Sequence, residues 1–341
     1  MRRILIISFI ILLTGANINS QDNAAYHWYF GINAGVDFST GIPTAVTNGP
    51  LNTAEGVATV DDPNGNLMFY TDGTKVYNAN HVIMPNGDGL MGHYSATQSS
   101  IIIPFPNNDS LFYLFTVDAV ENHLQNGLRY NLINMNLENG LGDIIPGYKN
   151  ILLESPVSEK LTAVLADNEE DIWLVAHKWN SNEFVAYNIN SLGLNITPVV
   201  SAAGTIHQGG YSSGSLENGW TNSIGYMKAN MQGDKIALAI HREYIVELFD
   251  FNNYTGEVSN CITSNANLTD VYGVEFSPDG TKLYITQTAG GGLKQFDLNS
   301  PNPMSNPVQI SNVSQASGLQ IAPNGNIYLA VPFSYYLGEI R

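Results

Sequence analysis

The stretch Phe276-Ser277-Pro278-Asp279-Gly280-Thr281-Lys282-Leu283-Tyr284-Ile285-Thr286 decides the fold. Its centre, Ser-Pro-Asp-Gly-Thr, is a turn: proline presets φ at the first central position, and Asp and Gly accept the left-handed one. On both sides run apolar and aromatic residues, Val271-Tyr272-Gly273-Val274-Glu275-Phe276 before and Leu283 to Thr286 after. This reads as a β-hairpin, and a third strand follows at Leu293-Lys294-Gln295-Phe296-Asp297-Leu298.

The pattern recurs along the chain. It stands at Asp62-Pro63-Asn64-Gly65-Asn66 before Leu67–Thr71, at Pro106-Asn107-Asn108-Asp109 before Leu111–Phe115, and at Asp167–Asp171 before Ile172–Ala176. It returns at Met231-Gln232-Gly233-Asp234 before Ile236–Ile240 and at Ala322-Pro323-Asn324-Gly325-Asn326 before Ile327–Val331. Measured between Gly65, Asp109, Asp171, Gly233, Gly280 and Gly325, the spacings are 44, 62, 62, 47 and 45 residues. A unit of three or four strands at that period is a β-propeller blade, whereas a sandwich lacks the long repeat and a solenoid repeats at a shorter one. No helical periodicity interrupts the series. The fold class expected is therefore all-β.

The ends set the blade count. Trp28-Tyr29-Phe30-Gly31, Ala34–Phe38 and Thr44–Thr47 read as three outer strands of a further blade that lacks its first strand. The sixth repeat stops at Tyr336-Leu337-Gly338-Glu339-Ile340-Arg341, about where its third strand belongs. The expectation is a seven-bladed propeller over residues 21–341 with a truncated last blade and a missing closing strand. The alternative is a six-bladed ring whose N-terminal strands complete the last blade. An unclosed ring leaves a strand edge open to pairing with another chain.

Composition agrees and excludes several functions. The chain has 341 residues, 44% hydrophobic and 13% charged, with 32 Gly and 15 Pro for the many turns. Thirteen Lys and Arg against 30 Asp and Glu give a net charge of −17, so a phosphate backbone is repelled and nucleic acid is not an expected partner. Met1-Arg2-Arg3 followed by the apolar run Ile4–Leu13 reads as a secretory signal peptide over residues 1–20, cleaved after Ser20. As a membrane anchor the run falls short of the ~20 residues needed to span a bilayer. A secreted or cell-surface location follows, with no transmembrane segment. The single cysteine, Cys261, allows no internal disulfide and reads as a small apolar strand residue rather than a nucleophile.

Candidate sites are few. Ala289-Gly290-Gly291-Gly292 lacks the helix a phosphate cradle needs, and no zinc-protease, nucleophile-elbow or EF-hand spacing occurs. No cofactor is expected; the acidic turns Asp61–Asn66 and Asp167–Asp171 read as solvated turns, with weak Ca²⁺ binding as the alternative. The densest polar stretch is His93-Tyr94-Ser95-Ala96-Thr97-Gln98-Ser99, ahead of the inner strand Ile101–Ile103. Loops entering inner strands line the channel where propeller ligands bind, so Glu55, His93, Gln98 and Lys160 form a candidate ligand-binding set, inter-blade hydrogen bonding being the alternative. His177 and His241 end second strands at equivalent positions, which suggests bonding to the neighbouring blade. Trp179, Trp220 and Tyr211 read as packing between blades or as sugar-stacking platforms. Outside the leader only Arg129, Arg242 and Arg341 remain, which argues against a sialidase-type arginine clamp.

Two resemblances rest on these residues. Phe276–Thr286 resembles the repeat of YVTN and TolB-like propellers. Tyr26–Gly31, Gly35–Phe38, Asn52–Gly56, Leu67–Gly73, Met84–Gly87, Gly89–Ser99 and Glu159–Val164 resemble the N-terminal propeller of large secreted Bacteroidetes proteins, from about residue 26 onward. In that family PKD or similar modules and a gliding-motility-associated, type IX secretion sorting domain follow the propeller; none is present in these residues. Asp109-Ser110-Leu111 fits that phylum's short O-glycosylation motif. The resemblance implies location and architecture more than chemistry, and the function expected is a non-catalytic secreted or cell-surface module that binds an extracellular glycan, peptide or protein. An extracellular polysaccharide hydrolase or lyase at the channel mouth is the alternative.

Overall fold

The computed structural model describes residues 26–211 and 218–341, so the leader read at 1–20 lies outside the described residues. Seven antiparallel sheets follow one another along the chain. Blade 1 holds three strands, His27–Phe30, Ala34–Asp37 and Thr44–Val46. Blades 2 to 7 open with the inner strands Ala58–Asp61, Ser100–Phe105, Val157–Leu165, Met227–Ala229, Val271–Phe276 and Leu319–Ile321. The last blade adds Ile327–Ala330 and Leu337–Ile340 and stops at three strands.

Each repeated turn joins an inner strand to the second strand of its blade, and the hydrogen bonds explain the residues chosen. In blade 6 the Ser277 amide donates to the Lys282 carbonyl at 2.9 Å, and the Gly280 amide to the Ser277 carbonyl at 2.8 Å. The Asp279 carboxylate accepts from the Ser277 hydroxyl at 2.6 Å and the Thr281 amide at 3.0 Å. Gly280 has φ +70°, which a side chain rarely adopts. The strands then register as Val274↔Ile285, Glu275↔Tyr284 and Phe276↔Leu283. The longer 62-residue spacings come from blades 3 and 4, where two segments share the outermost position.

The core is divided among the contacts between blades. One buried apolar cluster lies at each of the seven neighbour pairs, from Phe69–Phe112 packing between blades 2 and 3 to Leu293 and Leu319 between blades 6 and 7. The seventh joins the two ends of the chain. Phe38 is packed against Trp28 (ring centroids 4.8 Å) and Tyr328 (5.4 Å), and Trp28 meets Tyr328 edge-on at 5.9 Å. The N-terminal strands thus form a blade of their own beside the last one, so the ring has seven blades and the six-bladed alternative is excluded. Among the described residues blades 1 and 7 share no strand; side chains join them.

Candidate functional site

Inner strands are buried on both faces, so a polar residue on one must find its partner inside the ring. Gln98, just before the inner strand of blade 3, does this with its whole amide. Its Nε2 donates to the carbonyls of Leu161 (2.8 Å) and Met227 (3.1 Å), and its Oε1 accepts from the amides of Met227 (2.8 Å) and Leu161 (3.2 Å). One side chain therefore ties blades 3, 4 and 5 together. Glu159 does the same in a neighbouring place: its Oε2 accepts from the Thr97 amide (2.8 Å) and hydroxyl (2.7 Å), and its Oε1 from the Val120 amide (2.8 Å).

Lys160 points the other way along its strand and is fully buried. Its ammonium donates to the backbone carbonyls of Ser223 (2.6 Å) and Ile224 (3.0 Å), and more loosely to Asn222 (3.4 Å). Burial pushes this amine well down from the usual lysine range and the Glu159 carboxyl up, each losing its hydration shell. Farther round, Lys228 bridges Glu275 (3.3 Å) and Gln320 (2.6 Å), linking the inner strands of blades 5, 6 and 7. The channel is thus girdled by polar groups that bond blade to blade.

Glu55 differs. It precedes Gly56, whose backbone lies so close to blade 3 that a Cβ would sit 2.2 Å from the Ser99 amide; the Ser99 hydroxyl donates to the Gly56 carbonyl at 2.6 Å. That contact aims Glu55 into the ring, where it meets the Tyr272 phenol. Burial, and the nearby Glu159 charge, hold the Glu55 carboxyl well above the ordinary carboxylate range. Burial likewise raises the phenols of Tyr226 and Tyr272, which pack edge to face at 5.6 Å.

Glu55 and Gln98 line one cavity of about 870 Å³, its open mouth included, together with Trp28, Tyr29, Ala58, Tyr226, Leu319, Gln320 and Tyr328. It lies between blades 7 and 2, beside blade 1, and its walls are mainly apolar. Of the four residues read as a set, the structure brings Glu55 and Gln98 to this cavity and places Lys160 one strand away, bonded to main chain. His93 does not line it: its Nδ1 accepts from the Ser95 amide at 3.2 Å, and its ring stacks on Tyr94 at 4.7 Å.

The remaining candidates sort cleanly. His241 bonds the Val271 carbonyl of the next blade at 2.9 Å, as its position suggested. His177 stays within its own blade, stacked on His207 at 3.6 Å, and burial drives it down to about 3. Trp179 is buried and stacks on Trp220 at 5.6 Å, so it packs, whereas Tyr211 is 68% exposed. Cys261 is partly buried on the outer strand Glu257–Thr263 of blade 5. In the first acidic turn the Asp62 carboxylate accepts from the Asn64 and Asn66 amides, both at 2.8 Å. Among the described residues no group of three or more His, Cys, Asp or Glu could hold a metal ion, and no helix is long and apolar enough to cross a membrane.

Sequence reasoning missed Glu159, Tyr226 and Tyr272. Glu159 was legible as a charged pair with Lys160 inside an apolar run, and the two tyrosines stand 46 residues apart, one blade period.

A second surface surrounds the channel mouth. Strands alternate in direction, so links into inner strands and turns between second and third strands emerge on the same face of the ring. Tyr94 and Tyr211 lie on such links, and Phe333, Tyr335 and Tyr336 on such a turn in blade 7; all are exposed, Phe333 by 97% and at φ +60°.

No protein-family model matches the chain, and no curated protein does. Solved structures similar to it are β-propellers. The β-propeller domain of Cps50 (Swd1) from Myceliophteria thermophila aligns with TM-score 0.56 at 9% identity, covering 94% of each chain. Hsv2 of Kluyveromyces lactis aligns with TM-score 0.52 at 9% identity, covering 90% of this chain and 86% of that one. A protein described as a 6-phosphogluconolactonase from Bacteroides uniformis aligns with TM-score 0.51 at 12% identity, with the same coverage. At such identities the likeness establishes the fold and no activity.

Proposed function

We propose that this propeller is a non-catalytic binding module, exported to the cell surface or beyond it, that holds a neutral glycan on its aromatic face. One observation carries the reading: Gln98, Glu159 and Lys160 are engaged in blade-to-blade hydrogen bonds, while Tyr94, Tyr211, Phe333, Tyr335 and Tyr336 stand exposed on one face of the ring. Flat aromatic rings stack on sugar faces and tyrosine hydroxyls bond sugar hydroxyls. A net charge of −17 turns away polyanionic chains and leaves neutral ones. The apolar leader and the resemblance to N-terminal propellers of secreted Bacteroidetes proteins support the location.

Glu55 favours a second reading. A carboxyl whose protonated form is favoured by burial, beside two tyrosines, has the environment of a general acid, as a polysaccharide hydrolase or lyase would need. Glu159, whose charge acts on Glu55, has both oxygens hydrogen-bonded to the Thr97 and Val120 amides, which argues against its serving as the paired base.

A panel of neutral polysaccharides separates the two. The binding module retains at least one of them, and Tyr211→Ala combined with Tyr335→Ala weakens retention more than tenfold at unchanged melting temperature. Release of reducing ends or unsaturated sugars, abolished by Glu55→Gln, overturns the module in favour of the enzyme. Export is read from the amino terminus of protein recovered outside the cell, expected at Gln21.

A further inference from the structure

Two imidazoles lie stacked in blade 4, short of hydrogen-bond partners. His177 stands near the end of the second strand, Ile172–Lys178, and His207 ends the outer segment Val199–His207. Their rings are 3.6 Å apart and within 18° of parallel, and both residues are buried. The Nδ1–H of His177 donates to the Lys178 carbonyl at 2.8 Å, which leaves its Nε2 a bare lone pair. That nitrogen, both nitrogens of His207 and the hydroxyls of Thr221 and Ser223 are buried without a partner among the described residues. The charged groups around them offer no counter-ion. Lys160, on the inner strand of the same blade, acts on both rings with its positive charge. Glu159 faces Thr97 and Val120, Lys178 pairs with Glu183 (2.8 Å), and Glu247 bonds Thr205 and Thr263. In blade 5 Glu243 accepts from Asn222 (3.0 Å), Arg242 bonds Asp270 and His241 bonds the Val271 carbonyl; from blade 3 His123 stacks on Trp220. A proton added to either ring therefore meets a cation and no carboxylate.

Lys160 also joins the pair to the surface. Its ammonium bonds three carbonyls within residues 219–224, the segment that leads toward the inner strand of blade 5. That segment lies outside the sheets. It is held further by the Trp179–Trp220 stack, by the Gly219 amide on the Gly210 carbonyl (2.6 Å), and by Asn222 on the carbonyls of Gln208 (2.8 Å) and Gly209 (3.2 Å). Gly210 in turn precedes Tyr211 of the aromatic face. We propose that the stacked pair is an acid-sensitive latch: protonated on acidification, it drives residues 219–224 away from Lys160, and the face loses Trp220, Tyr211 and the ligand held there. The ligand part rests on the glycan-binding reading above; the latch itself does not. Burial keeps both imidazoles neutral while the segment is seated, His177 down to about 3, so their protons enter when it opens. An imidazole in water takes up its proton near pH 6.5. From pH 7.5 to 5, one such group raises the open population about thirtyfold and two linked to the same opening raise it roughly 900-fold. The pair thus makes the response steeper than a lone histidine could.

Hydrogen exchange of the full chain, with each rate divided by its intrinsic value, reads the latch without any ligand. Between pH 7.5 and 5 the amides of Gly219 and Asn222 should lose protection at least a hundredfold, while those of Ile101–Ile103 in blade 3 change less than threefold. His207→Phe, which keeps a flat ring in the stack, should cut the loss to about thirtyfold or less, and His177→Phe combined with it should abolish the loss. If these variants do not fold, the wild-type slope decides: more than one proton should be taken up per opening, approaching two. Unchanged protection of the segment overturns the latch, as does a loss shared equally by blade 3 or one undiminished in His207→Phe. Retention of a neutral polysaccharide should fall at least tenfold over the same pH range and recover in His207→Phe; retention that stays constant while the segment opens overturns the claim that the latch governs the face. A panel of which nothing is retained at any pH sinks the glycan-binding reading instead, and the exchange result then judges the latch by itself.

Discussion

Replacing Gln98 by alanine tests the claim that one side chain ties three blades together. The substitution removes four hydrogen bonds and leaves two N–H and two C=O groups, on Leu161 and Met227, without their partner; these residues are 1% and 0% exposed. An orphaned buried polar group costs ~1–3 kcal/mol. Water admitted from the channel re-satisfies part of the set, so the expected loss is about 3 kcal/mol rather than the full total. For a domain of this size 1 kcal/mol moves the midpoint by roughly 1.5 °C, so the melting temperature should fall by roughly 4–5 °C. Calorimetry and urea unfolding of wild type, Gln98→Ala and Gln98→Glu measure it. The glutamate can accept from both amides but, when ionised, donates to neither carbonyl; it should be at least as damaging as alanine at pH 8 and recover toward pH 5 as it protonates. A midpoint for Gln98→Ala within 1 °C of wild type, at unchanged m-value, refutes the argument.

Other expectations follow the same logic. Phe38→Ala empties the cluster between blades 7 and 1 and should cost about 3–5 kcal/mol, read by urea unfolding, with the loss of protection in hydrogen exchange confined first to blades 1 and 7. Glu55, whose pKa is raised in the folded state, holds a proton that the unfolded chain has released above about pH 4.5, so its contribution to stability falls as pH rises through that window; Glu55→Gln should gain midpoint over wild type at pH 8 and not at pH 4. His177 and His207 have the opposite sign. Both are held neutral by burial, the unfolded chain takes up their protons below about pH 6.5, and each withdraws up to ~1.4 kcal/mol per pH unit as acidity increases; His207→Phe should flatten the melting curve against pH between 6.5 and 4.5. Because the carboxyl and imidazole effects oppose each other, the variant-minus-wild-type difference is the quantity to plot.

What could be read from the sequence was local. The Ser277–Thr281 turn contains its own hydrogen-bond partners within five residues, so its type, its strands and the blade period were all legible. The girdle of the channel was not, because the partners of Gln98 lie 63 and 129 residues away. Lys160 shows the same limit: a lysine in an apolar strand reads as a ligand-binding residue, but main-chain carbonyls some 63 residues on accept its hydrogen bonds. Glu55 was found because the turn period placed it at an inner strand's entrance. Its tyrosine neighbours, on the far side of the ring, left no pattern of their own near it.

The side-chain seam between blades 1 and 7 has a thermodynamic consequence. Among the described residues the contact between blades 1 and 7 parts at Phe38, Trp28 and Tyr328 with every backbone ladder left whole. Blades 1 and 7 are therefore the units expected to open first, ahead of the five between them.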